Sequence, residues 1–120
     1  MATTELAVQD LSRSGLDAVY SAADGGDGNV FNNDGGRIFV HVKNGSGGGV
    51  DVTIATPGTA DGLTIADRVV NVPAGEDRFI GGFTALYEAA DADNSIDKAV
   101  LLTFSAVTSV TLAVLRLPRS

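Results

Sequence analysis

Short segments in which residue character alternates constrain the fold of this chain more than any other feature. They are Arg37–Lys43, Val50–Ile54, Arg68–Val72 and Val110–Val114, and glycine, proline or asparagine bounds each of them. Successive side chains of a strand point to opposite faces of a sheet, so this alternation is typical of half-buried β-strands. The pattern predicts an all-β fold without a long helix.

The spacing of these segments also predicts the architecture. Seven or eight short strands, with no helical spacer between them, indicate an antiparallel β-sandwich or barrel, and a jelly roll is a natural member of that class. A chain of 120 residues is the size of one domain with one core. We therefore expect a single, jelly-roll-like β-sandwich domain over residues 15–120 and an extended N-terminal arm over residues 1–14.

The connections between strands predict hairpins. A glycine-rich turn at Gly45–Gly49 separates the first two segments, and this predicts an antiparallel hairpin over residues 37–55. The four residues Ala106–Ser109 are short enough to join the last two strands as a second hairpin. Between them, Pro73–Gly75 predicts the turn of a further strand-turn-strand unit.

Charge and composition argue against several classes of partner. Eight basic and 15 acidic residues give a formal net charge of -7, which repels a phosphate backbone, so we expect no nucleic-acid partner. The N-terminus lacks the basic and apolar segments of a secretory signal, and no apolar run approaches the roughly 20 residues that span a bilayer. We therefore expect no membrane partner.

The sequence offers no catalytic or cofactor motif. Cysteine is absent, which removes disulfides, thiolate zinc sites and cysteine nucleophiles. His41 is the one histidine, and its place in the middle of a strand favours a sheet-surface role over a catalytic one. The turn Gly45–Gly49 lacks the Lys-Ser/Thr pair of a phosphate-binding loop. We expect a protein that is not an enzyme, with no catalytic residue and no cofactor.

Two loops are rich in oxygen-bearing side chains of the kind that calcium prefers. Their members are Asp24, Asp27, Asn29 and Asp34 in the first loop, and Asp91, Asp93, Asn94 and Asp97 in the second. An EF-hand loop needs a bidentate glutamate at its twelfth position, where these loops have Gly35 and Leu102. The favoured interpretation is that the acids form turns and face solvent, so no metal ligand is assigned, and calcium binding stays as the alternative.

Strand-and-turn phrases, rather than a catalytic motif, carry a resemblance to a known group of proteins. The phrases are Asn33–Gly45, Val50–Ile54, Val72–Phe83 and Leu102–Leu117, with Leu6–Leu11 and Leu16–Asp24 nearer the N-terminus. They resemble small virion proteins of tailed bacteriophages, of the capsid-decoration (cement) or minor head protein type. The chain departs from that pattern at Gly81-Gly82-Phe83, where Gly-Pro-Phe is expected, and the departure affects a turn only.

The resemblance implies a jelly-roll-like subunit that binds the outer surface of an icosahedral phage head and stabilises it. Its implied partners are the major capsid protein and copies of itself, as a homotrimer, and its implied location is the virion after synthesis in the host cytoplasm. An arm over residues 1–14 could add a strand to a neighbour's sheet edge. A frayed terminus explains the same residues equally well.

Two other interpretations stay open. One is another phage structural subunit, such as a tail-tube, tail-completion or head-fibre protein, which would use the same β-rich composition. The other comes from a different class and is a carbohydrate- or calcium-binding β-sandwich module.

Overall fold

A computed structural model describes residues 3–26, 28–33, 37–84, 87–91 and 96–117 of the chain. These residues form β-strands and turns and contain no α-helix, which confirms the all-β prediction. Among them there is accordingly no helix that could cross a membrane. The strands, in chain order, are β1 (Thr4–Glu5), β2 (Val8–Asp10), β3 (Ser21–Ala22), β4 (Asn29–Asn32), β5 (Ile38–Asn44), β6 (Val50–Ile54), β7 (Thr59–Ala60), β8 (Leu63–Thr64), β9 (Arg68–Val72), β10 (Asp77–Ile80), β11 (Glu88–Asp91), β12 (Ile96–Phe104) and β13 (Val110–Arg116).

Two main sheets contain all of these strands except β7 and β8, which pair with each other. Sheet A has the order β1-β4-β12-β6-β9, and β11 also pairs with β12. Sheet B has the order β10-β5-β13-β2, and β3 also pairs with β13. Every pairing is antiparallel except β1 with β4 and β2 with β13. The arrangement is compatible with an antiparallel β-sandwich, but it does not confirm a jelly-roll topology.

The core lies between the two sheets and consists mainly of aliphatic side chains from alternate strand positions. Val40 and Val42 of β5 face inward, as the alternation predicted, and both are fully buried. Val52 and Ile54 of β6 meet them from sheet A. Each such side chain contributes about 1.5–3 kcal/mol when it is fully removed from water. This gain explains why the alternating segments become strands.

The predicted hairpins are wrong, because the two strands of each lie in different sheets. β5 belongs to sheet B and β6 to sheet A, and β12 and β13 are divided in the same way. The turns bond to one another instead of closing hairpins: the amide N–H of Asn44 donates to the carbonyl of Glu76, and that of Gly45 donates to Ser109. Because the backbone groups of the turns find these partners, the chain can cross from one sheet to the other at each turn.

The N-terminal residues lie against the chain's own sheets. β1 pairs with β4 in sheet A and β2 pairs with β13 in sheet B. Between them Leu6 is 5% exposed and belongs to the core. The structure therefore does not confirm an extended arm: residues 3–10 close one side of the sandwich, and residues 1 and 2 lie outside the described residues.

A buried asparagine joins the two sheets where the chain leaves β5. The side-chain N–H groups of Asn44 face three carbonyl oxygens, those of Gly48 at 2.8 Å, Val72 at 3.0 Å and Pro73 at 3.3 Å. Its side-chain oxygen accepts hydrogen bonds from the backbone N–H and the hydroxyl of Ser46. Asn44 thus ties sheet B to the end of β9 in sheet A and fixes the loop after β5.

Replacing Asn44 by alanine should destabilise the fold strongly. The change leaves the buried carbonyl of Val72 without its side-chain donor and removes the other hydrogen bonds of Asn44, so we expect the free energy of unfolding to fall by about 2–3 kcal/mol. Urea unfolding followed by circular dichroism measures the loss. The matched control is Asn71→Ala, because the exposed Asn71 makes one hydrogen bond to the Asp51 carboxylate and should lose less than about 0.5 kcal/mol. Equal losses in the two variants would contradict this account of Asn44.

Candidate functional site

The outer surface of sheet B carries a cluster of aromatic and charged side chains. The cluster, called the aromatic face below, comprises Tyr20, Phe39, His41, Lys43, Asp77 and Phe79. Alternation along β5 points three of these side chains outward, because the intervening valines occupy the core. The register between β10 and β5 then sets Phe79 opposite His41 and Asp77 opposite Lys43. Strand pairing thus assembles the face from distant parts of the chain.

Tyr20 reaches the aromatic face from beyond β13. Ser21 pairs with Leu112 in β13, so Tyr20 lies beside Ala113, which is itself the partner of His41. Ala113 is 2% exposed. Its small side chain leaves room for the tyrosine to extend over β13, and the Tyr20 and His41 rings meet edge to face with centroids 5.5 Å apart.

Phe79 is the most exposed aromatic ring of the face and rests on His41. The two rings are parallel within 7°, with centroids 4.1 Å apart. Phe39 supports Phe79 from the side at 5.8 Å. Phe79 is nevertheless 65% exposed, whereas His41 is 7% exposed. The face therefore presents one large apolar ring to solvent on a base of side chains that packing holds in place.

Hydrogen bonds occupy both ring nitrogens of His41. Nε2 lies 2.6 Å from a carboxylate oxygen of Asp77, and Nδ1 lies 2.7 Å from the hydroxyl of Tyr20. An ionised carboxylate only accepts hydrogen bonds, so Nε2 carries the proton that it donates to Asp77. The Tyr20 hydroxyl can donate to a neutral ring or accept from a charged one. His41 is therefore held in place, and it could take a proton from a substrate only by breaking one of these bonds.

The electrostatics of the face support this arrangement. The hydrogen bond from His41 is the largest cause of a lowered pKa for the Asp77 carboxyl, and the charges of His41 and Lys43 act in the same direction. The ammonium group of Lys43 lies 4.1 Å from the centre of the Tyr20 ring, within the range of a cation–π interaction. Charged groups thus border the aromatic rings, and an apolar centre with a polar rim is typical of protein-binding surfaces.

Sequence reasoning gave His41 no role and did not find its neighbours. The alternation along β5 does indicate that Phe39, His41 and Lys43 share one surface. No local pattern, however, indicates that Tyr20 and Phe79 meet them, because the register of β10 and the position of β3 are set by contacts across the whole domain. The structure thus adds an aromatic face that the sequence did not reveal.

The first acidic loop is held together by its own polar groups. The carboxylate of Asp24 accepts hydrogen bonds from the hydroxyl of Thr4 and from the backbone N–H of Gly26, and the first of these is the largest cause of its lowered pKa. The backbone N–H of Asp24 donates to the buried side chain of Asn29. This geometry supports the interpretation of Asp24 as a turn-forming acid.

The second acidic loop is represented by its two ends. Asp91 ends β11 and accepts a hydrogen bond from the hydroxyl of Thr3 at 2.5 Å, and Asp97 lies in β12. Within the described part of the chain, no three histidine, cysteine or acidic side chains come together as metal ligands do. Four residues of the two acidic loops lie outside the described residues: Asp27, Asp34, Asp93 and Asn94.

The outer surface of sheet A holds a smaller apolar cluster. Val30, Ile96 and Ala99 are buried there, with Leu101 packed against them. A shallow groove of about 290 Å³ lies over this cluster, between β4, β11 and β12. It presents few polar groups, so it has less of the character of a specific binding site than the aromatic face.

Comparisons with protein-family models, with curated proteins and with solved structures find no match to this chain.

The lowered pKa of Asp77 predicts how stability depends on pH. A carboxyl that ionises more readily in the folded state stabilises the fold above its unfolded-state pKa of about 3.9, and that contribution is lost as pH falls through the lower folded-state value. The Asp77→Asn variant should therefore be less stable than the parent at pH 7, and the difference should shrink towards pH 2. Urea unfolding at several pH values measures it.

The control for this prediction is Asp17→Asn, which changes an exposed carboxyl between β2 and β3. It should follow the parent protein at every pH. A destabilisation by Asp77→Asn that stayed constant from pH 7 to pH 2 would contradict the assigned role of the His41–Asp77 contact.

Proposed function

We propose that this chain is a structural subunit of a phage virion, of the capsid-decoration type, which binds the outer surface of an icosahedral head and stabilises it. The observation that carries the proposal is the exposed ring of Phe79 in the aromatic face. Aromatic side chains in well-packed surroundings supply much of the energy of protein interfaces. The proposal takes the type of partner from the resemblance and the contact surface from the geometry.

The aromatic face suits docking because it is organised before a partner arrives. Two hydrogen bonds hold His41, which in turn supports Phe79, and a regular sheet underlies both. Few side chains would have to be immobilised on binding, so little conformational entropy would be lost. Lys43 and Asp77 supply charged groups that can lie at the rim of such a contact.

Stabilising a shell in this way needs no catalytic group. It needs many copies arranged by symmetry, each adding a modest interface energy. In this proposal the partners are the major capsid protein and further copies of the chain, as a homotrimer, and the location is the outer surface of the capsid. A tail-tube, tail-completion or head-fibre subunit could use the same face, and copy number in the particle distinguishes these roles.

A second candidate function is a carbohydrate-binding module, and the exposed ring of Phe79 also favours it. The electron-rich surface of an aromatic ring attracts the polarised C–H groups of a sugar. Asp77 and Lys43 stand beside the ring and could bond to sugar hydroxyls. Calorimetric titration with a glycan panel, with and without calcium, tests this candidate: heat that Phe79→Ala abolishes would favour it, and no heat from any glycan would reject it.

The capsid proposal predicts that the purified protein binds expanded capsids and raises their melting temperature. Phe79→Ser should weaken that binding about 30-fold, the equivalent of losing a 2 kcal/mol interface anchor. Co-sedimentation with capsids measures affinity, and calorimetry of the particles measures their melting temperature.

The matched control is Val69→Ser in β9 of sheet A. Val69 is 56% exposed, close to the 65% of Phe79, and it lies away from the aromatic face. This variant should bind like the parent. Unchanged capsid melting at saturating protein would reject cementing, whereas equal binding by both variants would reject only the aromatic face as the contact surface.

A further inference from the structure

The N-terminal residues bind the domain as a separate peptide would. Residues 3–10, called the N-terminal segment below, add one short strand to β4 in sheet A and another to β13 in sheet B. Backbone N–H groups make the connecting bonds: Thr4 donates to Gly28 at 3.0 Å, and Leu6 donates to Val30 at 2.8 Å. Strand addition to a free sheet edge is a common way for extended peptides to bind proteins.

Two side chains complete this binding. Leu6 is 5% exposed and enters the core between the sheets. Asp10 accepts a hydrogen bond from the guanidinium group of Arg116 at 2.7 Å, in register with β13. The contact thus combines an apolar anchor, an ion pair and strand pairing, which is enough to specify position and direction.

The link that joins the N-terminal segment to the rest of the chain is long and exposed. Residues 11–20 contain no strand, and none of them is buried. They reverse direction through a turn at Ser12–Gly15, where the N–H of Gly15 donates to the carbonyl of Ser12 at 3.1 Å. Gly15 has a φ of 97°, in a region that side-chain-bearing residues rarely adopt. Opening this turn would extend the link without disturbing the core.

Packing around the N-terminal segment is incomplete. A groove of about 260 Å³ lies where Ala7 and Gln9 approach Val19 and β13. A second groove, of about 410 Å³, lies on its other side, between Glu5, Asn32 and Arg116. Release of the segment breaks two short strand pairings and exposes Leu6, and both contacts are regained when the segment binds a second copy.

We propose that the N-terminal segment is exchanged between copies of this chain, so that residues 3–10 of one copy occupy the edges of β4 and β13 in a second copy. The partner is a second copy because the segment already fits those edges in its own chain. Every contact described above would form again between copies, and only the turn at Ser12–Gly15 would change. Exchange of an identical element is a low-cost route to oligomers.

The contacts that hold the link in place would also form again between copies. The side chain of Gln9 makes two hydrogen bonds to the backbone of Val19, at 2.8 and 2.9 Å. In an exchanged pair Gln9 of one copy would meet Val19 of the other. The proposal is independent of what the aromatic face binds, so it can fail or succeed separately from the proposed function.

A cysteine pair tests the exchange directly, because the chain has no cysteine of its own. Asp10→Cys and Arg116→Cys are made in separate chains, mixed at high concentration and oxidised. Exchange places the two cysteines side by side across copies, so non-reducing electrophoresis should show a disulfide-linked heterodimer. The matched control mixes Glu76→Cys with Arg78→Cys, which replaces an ion pair outside the exchanged residues.

The heterodimer yield in the first mixture should exceed that of the control by about tenfold or more, because exchange raises the effective concentration of the two thiols. A chain that carries both Asp10→Cys and Arg116→Cys reports whether the pair can close within one copy. The proposal would be overturned if the disulfide formed within the doubly substituted chain while the mixture gave no more heterodimer than the control.

A second variant tests the hinge without using a disulfide. Gly15→Val strains the turn of the closed form, because a β-branched residue disfavours a φ of 97°, and should raise the exchanged-to-closed ratio about tenfold. Light scattering measures the resulting oligomers. Gly62→Val is the control, since Gly62 also has a positive φ and open space around it but lies between β7 and β8. Monomers at high concentration for both glycine variants would overturn the proposal, whether or not the cysteine pair closes.

Discussion

The buried side-chain amide of Asn44 is the interaction on which the two-sheet arrangement depends. Each time the chain crosses from one sheet to the other, the turn leaves backbone groups that no hairpin partner satisfies. Asn44 supplies donors to the carbonyls of Gly48 and Val72, so one side chain serves the turn after β5 and the turn after β9 together. Without Asn44 the crossing would leave the buried carbonyl of Val72 without this donor, at a cost in stability.

The sequence predicted which faces of the strands are buried but not which strands are paired. Val40, Val42, Val52 and Ile54 occupy the core because burial follows the local period of two, which a single segment reveals. Pairing is decided elsewhere: β5 bonds along its whole length to β13, near the other end of the chain. Glycine and asparagine after β5 indicate a turn in either arrangement. They do not distinguish a hairpin from a crossing between sheets, because the hydrogen bonds that satisfy this turn come from residues in other turns.

The candidate site was only partly predictable for the same reason. Alternation places Phe39, His41 and Lys43 on one surface. They become part of a candidate binding site only because β10 brings Asp77 and Phe79 beside them. A histidine alone on a sheet surface suggests nothing, whereas a histidine with both nitrogens bonded under an exposed phenylalanine is a rigid support. Leu6 is a similar case. The short apolar segment around Leu6 does not by itself indicate a strand. Leu6 is buried because it lies between the edges of β4 and β13.

Tyr20 connects the aromatic face to the link that follows the N-terminal segment. It is the last residue of the exposed link, and its hydroxyl lies 2.7 Å from the His41 ring of the aromatic face. That contact holds the end of the link on sheet B. Phe79 lies on the edge strand β10 of sheet B, whereas the N-terminal segment lies at the opposite edge. A copy could therefore exchange its N-terminal segment with a neighbour while Phe79 rests on a third protein, because the two contacts lie at opposite edges of sheet B.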